Sequence, residues 1–390
     1  MTVIAPHWLD APATRAVMAA LAPARPLFVG GCVRDALLGI EAADVDICVA
    51  VPPEETARLL RAAGLKAAPT GIDHGTVTAV ADHHGFEVTS LRRDVATDGR
   101  RAVVAFTDDV AEDAARRDFT VNALYAQADG GVRDPLGSGL ADLRAGRVRF
   151  IGDPHARIAE DYLRVLRFFR FTARFGAAGM DATGLAACAA HVDGLGRLSR
   201  ERVGAEMKAI LGLSDPSAAL AAMAAAGVLA AVAPGADAAD LPALIRAEAA
   251  AAAAPDWARR AAMIGAWGAD WRLSKAEEKR LSAIAAALAE PRPTAARAHL
   301  HGAGAARDAA LIEAARRGAA LSADLAAALA AEVARGAAAR FPVTAADLIA
   351  RGAAPGPALG AALAALRDRW IEADFRPDRA ALLAGWTAPA

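Results

Sequence analysis

The chain is predicted to be an α+β protein, with a mixed α/β first third and helices from there almost to the end. Three observations predict this. Short apolar runs broken by Gly, Pro and Asp alternate with helical stretches through the first third. From about residue 153 onward the pattern is helical, dominated by Ala, Leu and Arg. At 390 residues the chain is long enough for two or three domains, each with a core of its own.

Taken in order, Leu27-Phe28-Val29 reads as a short buried strand that breaks at Gly30-Gly31. Residues 33–38 follow with helical character and stop at Gly39. A second strand is expected to carry Asp44 and Asp46 on either side of Val45. On a strand, residues two apart project from the same face. Two carboxylates so placed repel unless a cation sits between them, and a hard divalent ion with oxygen ligands, Mg²⁺ above all, is the usual partner. The Gly30-Gly31 turn into a helix N-terminus offers backbone N–H groups to an anion. A phosphate cradle beside a metal pair points to nucleotidyl transfer, although a single Asp-x-Asp is more often a solvated turn and needs support from elsewhere.

Residues 53–63 read as a helix stopped by Gly64. Residues 76–81 and 86–91 alternate apolar and polar around Asp82-His83-His84-Gly85, a hairpin signal. Residues 92–101 are charged, contain Gly99 and read as a mobile loop, with a strand returning at 102–106. Residues 118–128 begin helical and end extended, before a turn at Asp129-Gly130-Gly131. In the helical remainder the breaks fall at Gly194-Leu195-Gly196, Pro234-Gly235, 291–293, Pro342 and Pro355-Gly356-Pro357. Ser199, Ser274 and Thr344 are expected N-caps. Residues 217–236 are uncharged but mostly alanine, with Gly227 and Pro234, and read as packed helix rather than a membrane span.

The net charge of −1 excludes a chain that binds polyanions over its whole surface, so any nucleic-acid surface must be local. Lysine occurs only at 66, 208, 275 and 279, so the abundance of arginine reflects composition as much as function. Cys32, Cys48 and Cys188 have no metal-ligand spacing and fit a reducing compartment, here expected to be the cytoplasm. The first residues lack a charged stretch followed by an apolar core, so no signal peptide is expected.

Three further groups carry chemistry. Glu87, in Gly85-Phe86-Glu87-Val88-Thr89, lies on an expected strand that could stand beside the aspartate pair. There it would help hold metal or take a proton from an attacking hydroxyl; otherwise it is a solvent-facing strand residue. Arg116, Arg117, Asp118 and Asn122 fall within seven residues at the start of an expected helix. An arginine there can grip triphosphate oxygens two at a time, or the group is a capped, solvated helix start. In the stretch 159–170, Asp161 and Arg164 are expected to be i, i+3 neighbours on one helix, with Arg167 and Arg170 continuing the polar stripe and Val165, Leu166, Phe169 and Phe175 on the buried side. Residues 144–174 hold eight arginines against three acidic residues, a local basic strip. An internal ion pair is the simple reading. A base-reading pair is the sharper one: a carboxylate accepts from the exocyclic amine of cytosine or adenine while an arginine donates to the ring nitrogen. Guanine and uracil present the reverse pattern and would leave buried polar groups unsatisfied.

Together, GGCVRDALLG (30–39), DVD (44–46), RRDFTVNALY (116–125), DPLGSGLADL (134–143) and EDYLRVLRFFRF (160–171) resemble the class II tRNA nucleotidyltransferase/poly(A) polymerase family of the polymerase-β-type superfamily. SRERVGAEM (199–207) fits too, and DLIARGAAPGPALG (347–360) does so more weakly. The resemblance implies a polymerase-β-type mixed α/β head over 21–147, a helical neck with the base template over 148–215, and an Ala-rich body and tail over 216–390 that bind tRNA. It implies that Asp44 and Asp46 bind catalytic Mg²⁺. Gly30, Gly31 and Arg34 would contact the nucleotide, and Arg117, with Asp118 and Asn122 in its motif, the phosphate or sugar. Asp161 and Arg164 would read the base, and Arg167 and Arg170 would complete the pocket. The charged segment 92–101 falls where the family has a flexible element used in switching from C to A addition. No H…HD…D arrangement stands in the C-terminal half, so an appended metal phosphohydrolase is not expected.

The expected reaction is addition of C, C and A to tRNA 3′ ends from CTP and ATP, with neither membrane nor DNA as partner. Poly(A) polymerase shares the five blocks, but the non-basic stretch DRAALLAGWTAPA favours CCA addition. A non-catalytic tRNA- or RNA-binding protein is the reading from another class, against which the intact acidic and basic positions stand.

Overall fold

The computed structural model describes residues 2–42, 44–71, 75–98, 101–318 and 321–387. It divides into two compact units, Met1–Pro234 and Gly235–Ala390.

The first unit is built on a seven-stranded sheet. Its strands are β1 (Leu27–Val29), β2 (Ile47–Val49), β3 (Lys66–Gly71), β4 (Thr76–Ala81), β5 (His84–Ser90), β8 (Tyr125–Ala126) and β9 (Val132–Arg133), while β6 (Arg92–Asp98) and β7 (Arg101–Phe106) pair separately as a two-stranded ribbon. The order is β3-β4-β5-β2-β1-β8-β9. Every neighbouring pair is antiparallel except β2 and β5, which run parallel with Ile47 opposite Val88. Helices Pro12–Ala20 and Pro53–Ala62 cover the face of the sheet at β4. Burial alternates along β4, so Val77, Ala79 and Ala81 meet that cover. The β4–β5 turn is two residues long. Asp82 and His83 both take positive φ, 47° and 62°, the conformation that matches the twist of a two-residue hairpin.

Four expectations are corrected. The charged segment 92–101 is not a loop: residues 92–98 form β6, paired with β7, and Gly99 and Arg100 lie outside the described residues. Residues 118–128 do not begin as an α-helix. The helix comes earlier, at Val110–Ala115, and only a 3₁₀ turn at Thr120–Asn122 precedes β8. Asp44 and Asp46 are not inside a strand but on the extended segment entering β2, where Val29 N–H still donates to Asp46 O at 3.0 Å. Asp161 does not lie within one continuous helix with Arg164. Helix Pro154–Glu160 ends there, Asp161 is extended (φ −155°, ψ 105°), and a new helix runs over Leu163–Phe175. Two strands, β3 and β9, were not expected at all; β3 contains Pro69, which suits an edge position, and β3 is an edge strand.

Helix Leu163–Phe175 buries Val165, Leu166, Phe168, Phe169 and Phe171, and its neighbour is helix Arg200–Leu211. Phe168 stacks on Phe150, with ring centroids 5.5 Å apart, and Phe171 meets Phe119 edge-on. This aromatic seam joins helix Leu163–Phe175 to the segment that follows Arg117. Helices Ser217–Ala225 and Val228–Val232 also belong to the first unit. Cys32, Cys48 and Cys188 are buried free thiols, and burial pushes those of Cys32 and Cys48 up to about 11 and about 12.

The second unit is helical throughout its described secondary structure. Small alanine contacts supply little apolar area, and charge fills part of the interior. Glu248 receives Arg259 at 2.8 Å and Arg260 at 2.8 Å, and Asp308 receives Arg259 at 2.9 Å, all four residues being buried. Ser274 forms the expected cap, in a box with Glu277. Among the described residues no helix is long and apolar enough to cross a membrane.

Candidate active site

β1 delivers the chain to Gly30, whose φ of +72° an L side chain rarely adopts. A Cβ there would also stand 3.3 Å from Arg117 Nη1. Helix Gly31–Leu37 starts at the next residue. Arg117 itself is held from behind. Its Nε and Nη2 donate to Asp113 Oδ2 at 3.2 and 3.0 Å, its Nε also to the Tyr125 hydroxyl at 3.1 Å, and Nη1 is left facing the glycine turn.

Beside this turn stand the carboxylates. The β2–β5 register, Ile47 opposite Val88, sets Asp46, just before β2, next to Glu87 on β5. Asp46 is half-buried, whereas Asp44 and Glu87 are exposed. Burial, then Glu87, then Asp44 push the Asp46 carboxyl up to about 6, with Arg117 opposing them. Negative charge is therefore crowded at a point the protein does not neutralise by itself. Among the described residues no three His, Cys, Asp or Glu side chains form a ready-made metal cage, but the donor set is all oxygen and two of its members are exposed and free to turn. That chemistry fits a hard divalent ion.

Behind the site runs a polar chain. Asp118 Oδ1 accepts from Phe119 N–H at 2.8 Å and from Asn122 Nδ2 at 2.9 Å, and its Oδ2 accepts from Arg167 Nε at 2.7 Å. Asn122 Oδ1 accepts in turn from Arg34 Nη1. Arg34 is buried, bound to Asp35 at 2.7 Å, and lies over Phe175 with 4.3 Å to the ring centroid. Asp35 also receives Arg174 at 3.3 Å. At the far end Glu206 takes Arg170 Nε at 2.6 Å and stands 3.8 Å from Arg167. Burial alone would raise the Asp118 carboxyl, but the Arg167 guanidinium and the Asn122 amide hold it below the ordinary carboxylate range.

At the kink, Asp161 Oδ1 accepts from Leu163 N–H at 3.1 Å and Oδ2 from Arg202 Nη2 at 2.6 Å. Arg164 donates from Nη1 to Glu160 Oε2 at 2.5 Å and Arg157 O at 2.8 Å, and from Nη2 to Arg116 O at 3.1 Å. The expected Asp161–Arg164 ion pair is thus replaced, among the described residues, by separate outside partners for each.

The structure brings Gly30, Gly31, Asp44, Asp46, Glu87 and Arg117 to one end of the sheet. It places Asp118, Asn122 and Arg34 as buried members of the chain behind it, Asp161 at the helix break, and Arg164, Arg167 and Arg170 on helix Leu163–Phe175. Sequence reasoning missed Asp113, Asp35, Arg174, Arg202 and Glu206 as partners. Asp113 was findable, since it precedes Arg116 and Arg117 by three and four residues, the helix-neighbour spacing. For the others no local signal exists.

Residues 27–149 match the family model described as the Poly A polymerase head domain. The mixed sheet, the glycine turn and the crowded carboxylates all lie within this matched segment. CCA tRNA nucleotidyltransferase 1, mitochondrial, of Mus musculus is 43% identical over 185 residues, 47% of this chain and 42% of that protein. The CCA-adding enzyme of Lacticaseibacillus paracasei is 42% identical over 186 residues, 47% of this chain and 45% of that one. The chain therefore matches less than half the length of these relatives. Over nearly full length it is similar to the Bacillus stearothermophilus CCA-adding enzyme in complex with CTP, with TM-score 0.74, 27% identity and coverage of 93% and 94% of the two chains. The Thermotoga maritima CCA-adding enzyme complexed with tRNA-CCA shares the fold, with TM-score 0.66, 19% identity and 98% coverage of both chains. Residues 27–149 are thus similar to the Poly A polymerase head domain, and the chain as a whole shares its fold with CCA-adding enzymes.

Proposed function

We propose that the protein adds C, C and A to tRNA 3′ ends, taking the nucleotides from CTP and ATP. The observation that carries this reading is the crowding of Asp44, Asp46 and Glu87 beside the Gly30 turn and Arg117. The names of the relatives above, and of the neighbour that binds CTP, support the choice of substrate.

In the reaction the RNA 3′-hydroxyl oxygen forms a bond to the α-phosphorus, and the bond from that phosphorus to the bridging oxygen breaks, releasing pyrophosphate. Asp44 and Asp46 would hold divalent metal, most suitably Mg²⁺, which when bound supplies charge neutralisation at the attacking and leaving oxygens. Glu87 would accept the hydroxyl proton. The Gly30–Gly31 turn leaves room for phosphate, and Arg117 Nη1 presents a fixed positive charge to it. Asp161 and Arg164 read the base edge, while Arg167 and Arg170 close the pocket. Asp118, Asn122 and Arg34 act through these residues by fixing where they stand. The second unit and the neck would grip the tRNA body. Most of the rate comes from positioning and electrostatic preorganisation.

The test is incubation of the purified protein with Mg²⁺ and a tRNA transcript lacking its CCA end, with CTP and ATP given separately and together. Two C residues with CTP, followed by one A when ATP is added, is the expected product. A long A-tract on tRNA or unstructured RNA would move the assignment to poly(A) addition. No extension, with RNA still bound, would leave a binding protein. Asp44→Ala should abolish transfer while RNA binding survives.

A further inference from the structure

We infer that Arg202, on helix Arg200–Leu211, is a positioning residue that sets which bases the site accepts. The inference rests on the CCA-addition reading and names a determinant of its specificity.

Asp161 sits at a break between two helices, where nothing in the helical hydrogen-bond ladder fixes its side chain. Two bonds do so instead. Leu163 N–H holds Oδ1 at 3.1 Å, and Arg202 Nη2 holds Oδ2 at 2.6 Å. The second is a charge-assisted bond across 41 residues of chain. With both oxygens tied from the protein side, the carboxylate has one orientation and its remaining lone pairs face outward. An ionised carboxylate can only accept, so that face suits the amine of cytosine or adenine and not the carbonyl of uracil or guanine.

Arg164 is fixed in the complementary way. Three of its five N–H groups go to Glu160, Arg157 O and Arg116 O, so two remain to a base. Four residues beyond Arg202 on the same helix face, Glu206 binds Arg170 at 2.6 Å. A cation and a carboxylate at i, i+4 would ordinarily satisfy one another. Here each reaches away from the helix to a group of opposite charge, Arg202 to the helix break and Glu206 to the neck helix. One helix therefore anchors both Asp161 and Arg170.

Without Arg202 the Asp161 carboxylate, 31% exposed, is free to rotate about its one remaining bond. It then no longer presents a fixed acceptor, and a water can bridge it to a carbonyl. Discrimination falls more than catalysis, because the metal carboxylates and Arg117 are untouched.

The experiment measures kcat and KM for CTP, UTP, ATP and GTP with the full chain, Mg²⁺ and tRNA lacking CCA, for wild type, Arg202→Met and Arg202→Lys. The expected result is that Arg202→Met lowers the preference for C over U and for A over G by about tenfold to a hundredfold. Arg202→Lys should recover part of it, since it restores the charge without the planar fork. Equal losses of kcat/KM for all four nucleotides, with the preference ratios unchanged, would overturn the inference and leave Arg202 as a structural tie. If Arg202→Met fails to fold by circular dichroism, Arg202→Lys decides: wild-type ratios alongside lowered thermal stability also overturn it. A wild-type protein that adds no nucleotide would instead overturn the functional reading itself.

Discussion

Arg167 donates from Nε to Asp118 Oδ2 at 2.7 Å, across 49 residues of chain, and so ties the neck helix to the segment carrying Arg117. Through Asn122 the same carboxylate reaches Arg34. The residues proposed to read the base and the turn proposed to hold phosphate are therefore not independent: one largely buried polar chain links them. Asp118→Asn removes the charge but keeps the shape. It should destabilise the first unit by about 2–3 kcal/mol, the cost of losing the charge-assisted bond between buried Asp118 and the half-buried Arg167 guanidinium. Urea unfolding measures this, and KM for CTP should rise with it. Wild-type stability would mean that Arg167 finds Glu206 instead.

Metal binding should compete with protons. Without metal, burial and the Glu87 and Asp44 charges raise the Asp46 carboxyl to about 6. Below that pH a proton occupies Asp46 and must leave before a cation binds, so apparent Mg²⁺ affinity should weaken as pH falls through 6 and level off above it. Added Mg²⁺ should move the activity edge to lower pH. Asp44→Asn removes one repelling charge and should shift the titration of Asp46 downward, visible by NMR of the metal-free protein. An edge that does not move with Mg²⁺ would place the titrating group elsewhere. Chelation of the metal should stop transfer and leave the fold intact.

Asp113 makes the acid limb of stability. Burial would push its carboxyl up, but the Arg117 and Arg116 guanidiniums and the Tyr125 hydroxyl hold it below the usual range. Its bonds are short: Arg116 Nη2 at 2.6 Å and Tyr125 hydroxyl at 2.7 Å. A carboxyl lower in the folded than in the unfolded state stabilises the fold above the unfolded value, about pH 4. That contribution is lost as pH falls from there through the lower folded value. Unfolding free energy should therefore drop below about pH 4 in wild type and be flatter there in Asp113→Asn. That variant should already be weaker at pH 7 by about 3 kcal/mol or more. Denaturant midpoints across pH 2–7 give both.

The parts of this site that were legible in the sequence are those whose cause is local. The strand-glycine-helix run at 27–37 and the β4–β5 hairpin carry their own periodicity and turn residues. β6 was not legible because it pairs with β7 as a separate ribbon, outside the large sheet, and its charged sequence shows no apolar alternation. The break at Asp161 was hidden for another reason. Glu160-Asp161-Tyr162-Leu163 keeps a helical pattern, and the residue that holds the kink, Arg202, lies on another helix. Arg174 meets Asp35 across 139 residues. Composition marked those arginines as a basic strip, whereas the fold spends several of them on buried carboxylates. In the second unit the same composition concealed a charged core around Glu248, since alanine-rich helices announce only their propensity.

The kink at Asp161 also depends on a residue with no side chain. A Cβ on Gly194 would lie 1.9 Å from Tyr162 Cε1 and 2.0 Å from Cδ1, so the ring of Tyr162 occupies the space that glycine leaves open. Tyr162 packs there against His191, and Arg197 lies over its ring at 5.5 Å. Since Tyr162 directly follows Asp161, moving the ring moves the break between the helices and with it the carboxylate. Gly194→Ala should therefore displace Asp161 from Arg202 and reduce kcat/KM for CTP and ATP by about a hundredfold, the order expected for a misplacement of about 1 Å. Overpacking should cost only about 1–3 kcal/mol of stability, so the protein should remain folded at 25 °C. Tyr162→Ala in the Gly194→Ala background makes room for the added methyl group and should restore part of the activity. If the double variant is no better than the single one, the loss does not arise from the collision between these two residues.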